Sequence, residues 1–146
     1  MEKISYIILT FLMGASISIY LPMNSSIARY LGSAKAANLV FFFFAFIASL
    51  IIFFCLEQVS ILANLVRIPR YLFINGVISA VVVLGITIII PKLGAGDFFV
   101  LLLSGQILMA LVVSHLGILE SPQEAISIQK LIGAGLVIIG AYLAVS

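Results

Sequence analysis

The chain has 146 residues, of which 64% are hydrophobic and only 8% charged, with a formal net charge of +2 and a mean hydropathy of +1.38. A water-soluble domain carries roughly 25% charged residues to coat its surface, and seven Lys/Arg with five Asp/Glu cannot do so here. Composition therefore excludes a soluble globule and, because the basic residues are scattered, a nucleic-acid-binding surface. The lipid bilayer is the solvent for most of the chain.

A spanning helix needs about 20 mostly apolar residues. Four charge-free stretches meet that length: Ile4–Ala28, Ala36–Leu56, Tyr71–Pro91 and Phe98–Leu119. A fifth, Leu131–Val145, becomes long enough when counted back through Ala125–Gln129, with the Lys130 stem reaching toward the headgroups. The expected architecture is an all-α membrane protein, one five-helix transmembrane domain over residues 1–146. The first stretch is longer than the apolar run of a signal peptide and is read as a retained span.

Local signals set the expected boundaries. Pro22 kinks or ends the first helix, and Asn24, Ser25 and Ser26 make that end polar or cavity-facing. The third helix is expected to stop at Pro91, with Lys92–Asp97 as a tight turn into the fourth. Ser121-Pro122-Gln123-Glu124 reads as a capping box opening the fifth helix. Cys55, alone in the chain, is expected as a small apolar packing residue.

Five spans put the termini on opposite sides of the membrane. Lys3, Arg67, Arg70 and Lys130 then share one side, and Arg29, Lys35 and Lys92 the other. Orientation follows the Lys/Arg excess in cytoplasmic loops, and four against three is close to a tie. Insertion in both orientations, followed by antiparallel pairing, builds an inverted repeat with a midplane site. A single fixed orientation is the alternative.

Small residues let membrane helices approach closely. Gly14, Gly76, Gly133 and Gly140 are the expected packing positions. Polar residues within spans are the candidates for a substrate cavity: Asn24, Asn75, Gln106, Ser114 and His115. Gln106, Ala110, Val113 and Gly117 fall on one narrow helical face, with Ser114 at its edge and His115 nearly opposite. Interhelical hydrogen bonding alone is the competing role for Asn75 and Gln106. The Phe41–Phe44 run reads as lipid-facing or core bulk. No catalytic constellation, metal-ligand cluster, phosphate-binding loop or cofactor motif is visible, so an enzyme is not expected.

Short motifs in order along the chain carry a family resemblance. They are Asn24 followed by Leu31-Gly32, Pro91-Lys92-Leu93-Gly94-Ala95, Gly105-Gln106, Ser114-His115-Leu116-Gly117, and Lys130-Leu131-Ile132-Gly133. The chain resembles the YdcZ-like family of small bacterial inner-membrane proteins, within the drug/metabolite transporter superfamily. The resemblance covers nearly the whole chain and departs from the family pattern at two places. Ser114 stands where Asp is frequent, and Asn75-Gly76 where a Gly-Gly pair is common.

The resemblance implies half of an inverted-repeat bundle that needs a second half, so a homodimer or a paired heterodimer. It also implies transport of a small molecule, export above all, driven by an ion gradient. The residues contribute no membrane-embedded acid to support that coupling. A non-transporting subunit of another membrane complex is the alternative.

Overall fold

The computed structural model describes residues 2–119 and 121–145. The side chains of Glu2 and Lys3, and with them the Lys3 charge of the topology count, lie outside the described residues. The helices are α1 (Glu2–Leu31), α2 (Ala34–Leu56), α3 (Ile74–Leu93), α4 (Ala95–Leu116) and α5 (Ile128–Val145), and no strand occurs among the described residues. All five spans have the length and apolarity to cross a membrane. Helix is the form such sequences take in hydrocarbon, because no water serves the backbone there and each N–H and C=O must be satisfied internally. Side-chain hydroxyls follow the same rule. Thr10, Ser16, Ser18, Ser49 and Ser104 each donate to the carbonyl one turn back, at 2.7–3.3 Å.

The chain divides into two compact units, Met1–Lys92 and Leu93–Ser146. In the first, α1 and α2 pack as a hairpin. Its turn is set by Gly32, whose φ of +66° suits glycine. The Gly32 N–H donates to the Arg29 carbonyl (3.4 Å) and the Ser33 N–H to the Ala28 carbonyl (3.1 Å), which closes α1 with a Schellman motif. Ser33 then opens α2, its Oγ accepting from the Ala36 N–H at 3.2 Å. One dipeptide thus serves both helix ends.

In the second unit α4 packs against α5. Gly117, at φ +59°, closes α4 in the same way: its N–H donates to the Ser114 carbonyl and the Ile118 N–H to the Val113 carbonyl. The chain after it folds back on that end. The Glu124 N–H donates to the Ser114 carbonyl at 2.9 Å, and Gln123 Nε2 to the His115 carbonyl at 3.4 Å.

This arrangement corrects the expected start of α5. Residues 121–127 are irregular, because the segment read as a capping box is engaged in capping α4. Helix α5 begins at Ile128, and Ser127 caps it by accepting from the Lys130 N–H at 3.2 Å. The Glu124 carboxylate instead pairs with the Lys130 ammonium. That hydrogen bond and charge hold the exposed Glu124 carboxyl below its ordinary range.

Other expectations shift as well. Helix α1 runs on through Pro22 to Leu31, and α3 continues past Pro91 to Leu93. Proline removes one backbone donor, a loss that membrane helices tolerate. The expected turn over Lys92–Asp97 reduces to Gly94, whose φ of +82° no L side chain favours. Cys55 is exposed near the end of α2. Between α2 and α3 lie two segments of 3-10 helix, Val59–Arg67 and Arg70–Phe73, the second of which takes in the start of the span expected from Tyr71. At three residues per turn, Val59, Leu62 and Leu65 share one edge and Ile61, Asn64 and Arg67 another. That amphipathic pattern suits the boundary between headgroups and acyl chains.

The two turn glycines differ in their surroundings. A Cβ at Gly117 would stand 2.9 Å from Gln123 Cβ, whereas one at Gly32 meets nothing within 4 Å. Gly32→Ala is expected to cost about 1 kcal/mol, the left-handed penalty alone. Gly117→Ala is expected to cost about 2–3 kcal/mol, because overpacking adds to that penalty. Unfolding of the two variants in mixed micelles, followed by circular dichroism, measures the difference.

Candidate functional site

Most apolar side chains of this protein face outward, and several of its polar ones are buried. Ile4 to Ile19 on α1 are exposed without exception. Asn24, Ser25 and Thr87 retain only 1%, 5% and 2% of their surface. They meet where the C-terminal half of α1 approaches that of α3, among Leu21, Ala37, Ile86 and Ile90.

Asn24 Nδ2 donates to Thr87 Oγ1 at 2.8 Å, and Ser25 Oγ donates to the Thr87 carbonyl at 3.2 Å. Thr87 Oγ1 donates its one proton to the Val83 carbonyl at 2.7 Å. The Thr87 oxygen can therefore only accept from Asn24. This fixes the Asn24 amide with nitrogen toward Thr87, and it leaves Asn24 Oδ1 buried without a partner. Asn38 repeats the pattern. Its Nδ2 donates to the Ala80 carbonyl at 3.2 Å, which can only accept, and its buried Oδ1 has no partner. The first unit thus holds two buried acceptor oxygens with spare capacity.

Asn24 also lines a hollow of about 170 Å³ with Tyr20, Met23, Ile27 and Phe41. The Tyr20 and Phe41 rings stack with centroids 5.9 Å apart and planes 20° from parallel. Phe41 is therefore distinct from the exposed Phe43 and Phe44 of the same run. A larger hollow of about 450 Å³ lies at the end of α2, lined by Leu56, Glu57, Gln58, Ser60, Ile61 and Asn64. All of those residues are exposed, and none buries a polar group.

The remaining candidates are not gathered around Asn24. Asn75 is exposed in the first turn of α3. In the second unit Gln106 and His115 are exposed and Ser114 is half-buried. The Ser114 and His115 carbonyls serve the cap of α4, and Gly117 lies beyond the helical face it was expected to share with Gln106. A Cβ at Gly14, Gly76, Gly133 or Gly140 would touch nothing within 4 Å, so these glycines make no close helix approach within their own units. Sequence reasoning missed Thr87, Asn38, Tyr20 and Phe41. The one available signal was Thr87 itself, a single hydroxyl in the apolar run Val81–Ile90. Among the described residues no group of His, Cys, Asp or Glu side chains is placed to hold a metal ion.

Five apolar spans, with Asn24, Ser25 and Thr87 buried between two of them, define a multi-pass membrane protein. A family profile described as "Putative inner membrane exporter, YdcZ" matches residues 5–143, and the chain belongs to that family. Its location is the inner membrane. No curated protein and no solved structure matches the chain.

The Asn24–Thr87 link is expected to carry a measurable coupling. A double-mutant cycle of Asn24→Ala and Thr87→Val, read from unfolding in mixed micelles, should give about 0.6–1.7 kcal/mol, the range of interhelical hydrogen bonds in membranes.

Proposed function

We propose that this chain is a small-molecule exporter that works as an antiparallel dimer, with its substrate cavity between the two copies near the membrane midplane. The carrying observation is the buried Asn24–Thr87 pair, which keeps an unused acceptor oxygen inside otherwise apolar spans. Ionisable and polar groups are costly in hydrocarbon and tend to mark pathways. Membership of a family of inner-membrane exporters gives the class of activity, and the substrate and the bilayer are the implied partners.

In this reading all 146 residues act as one five-helix half-transporter. Asn24, Asn75, Gln106 and Ser114 contribute to the cavity, and His115 is a titrating partner. Gly14, Gly76, Gly133 and Gly140 meet helices of the second copy, since open glycine surfaces permit close backbone approach. The outward-facing apolar side chains of α1 leave ample surface for lipid and partner. An odd number of spans and the near-balanced Lys/Arg distribution favour a partner inserted the opposite way.

Proteoliposomes of the purified chain test the reading. They are expected to move a substrate found by screening small molecules, and Gln106→Ala and Asn75→Ala are expected to slow that flux about tenfold each, as loss of one polar contact in a dry site does. Unchanged flux in both variants would remove those residues from the cavity. No flux with any compound would favour a non-transporting subunit.

A further inference from the structure

We propose that the segment Val59–Arg67 lies flat in the membrane–water interface and that Arg67 and Arg70, at and just beyond its C-terminal end, hold the phosphate headgroups of anionic lipids. The proposal rests on the membrane location of the chain and not on the transport reading.

Length and connection place the segment. Its nine residues of 3-10 helix extend about 18 Å at about 2.0 Å per residue, against a hydrocarbon thickness of about 30 Å. It cannot cross, so it joins the spans Ala34–Leu56 and Arg70–Leu93 along one face of the membrane. Its backbone carries hydrogen bonds of its own. The Ile61 N–H donates to the Gln58 carbonyl at 3.1 Å and the Ile68 N–H to the Leu65 carbonyl at 3.2 Å, which lowers the cost of entering lipid.

The side chains set its depth. Val59, Leu62 and Leu65, on one edge, are 58%, 43% and 47% exposed, so the described residues leave that edge uncovered. The next edge carries Ser60, Ala63 and Val66, and the third carries Asn64 and Arg67 with Ile61. An apolar edge toward acyl chains and a basic, polar edge toward water is the form of an interfacial helix. Tyr71, exposed beside Arg70, is a residue type that gathers at headgroup level.

Charge selects the lipid. No Asp or Glu occurs from Gln58 to Gly96. Arg67 and Arg70 are exposed, and neither has an ion-pair partner among the described residues. The nearest acid in sequence, Glu57, precedes the helix, and the rise of about 16 Å from Val59 to Arg67 exceeds a Debye length of about 8 Å. A guanidinium fork matches phosphate oxygens. In the antiparallel pair proposed above, the opposite copy brings Arg29, Lys35 and Lys92 to this face with one acid, Asp97, so charge opposes its covering the segment.

The chain has no tryptophan, so one introduced indole reports its own depth. Leu65→Trp and Asn64→Trp variants of the full chain are reconstituted in vesicles of phosphatidylcholine with phosphatidylglycerol. Both leaflets have the same composition, so insertion direction has no effect on the reading. Leu65→Trp is expected to lose most of its emission to lipids brominated on the acyl chain and little to aqueous acrylamide, and Asn64→Trp the reverse. Moving the bromine between the two lipids then measures headgroup preference at Leu65→Trp. Phosphatidylglycerol is expected to be favoured by about fivefold or more, the value of one basic residue at an anionic surface. Adding Arg67→Gln and Arg70→Gln is expected to abolish that preference. Adding Arg67→Lys and Arg70→Lys is expected to keep most of it, which separates loss of charge from loss of structure. Leu65→Trp quenched by acrylamide alone, or both indoles shielded from bromine and acrylamide by a second copy, would overturn the interfacial placement. A preference that survives the glutamine pair, or no preference with the arginines present, would overturn the headgroup site.

Discussion

Hydrocarbon offers no hydrogen bonds, and that constraint governs this structure. Each polar group on a span must find a partner within the protein or be left unsatisfied at a cost. Most of the hydroxyls comply by donating to their own helix. Thr87 does so and still keeps lone pairs, and Asn24 uses them, which ties α1 to α3. Once the Thr87 proton is committed to the Val83 carbonyl, the orientation of the Asn24 amide follows. Its oxygen is left over as a buried side-chain atom that has no partner. The candidate site therefore arises from ordinary helix satisfaction carried one step too far to balance.

The same accounting explains the short connections. A helix end carries unsatisfied carbonyls, and this chain meets them with glycine turns. Gly32 and Gly117 supply the left-handed residue of a Schellman motif, and Gly94 takes a conformation few other residues adopt. Three glycines in the motifs that carry the family resemblance thus each have a backbone reason to be glycine. Asn24 is different. No turn or cap requires it, and its amide is spent half on Thr87 and half on nothing.

Much of the architecture was legible in the sequence, because span length and charge exclusion are strong signals. The five helices follow from them, and the Leu31-Gly32-Ser33 turn is consistent with its residues. The start of α5 was not legible. Ser121 to Glu124 has the composition of a capping box, but the segment is drawn to the exposed carbonyls at the end of α4 by the turn at Gly117, a competition between two helix ends that local pattern does not resolve. The burial of Asn24 could be anticipated from its polarity beside Pro22. Its partner could not, since pairing residues 24 and 87 requires the packing of two helices. Nor does helical periodicity distinguish Phe41, which stacks on Tyr20, from Phe43 and Phe44, which face outward.

The central claim is that this chain is one half of a transporter completed by an oppositely inserted copy. Orientation tests it most directly. A pair of reporters, one active only in the cytoplasm and one only outside it, is fused in turn after residue 146 and expressed at the level of the native chain. Comparable signals from both are expected, since the Lys/Arg balance favours neither side. Signal from one reporter alone would contradict an antiparallel homodimer and require a different, oppositely oriented partner.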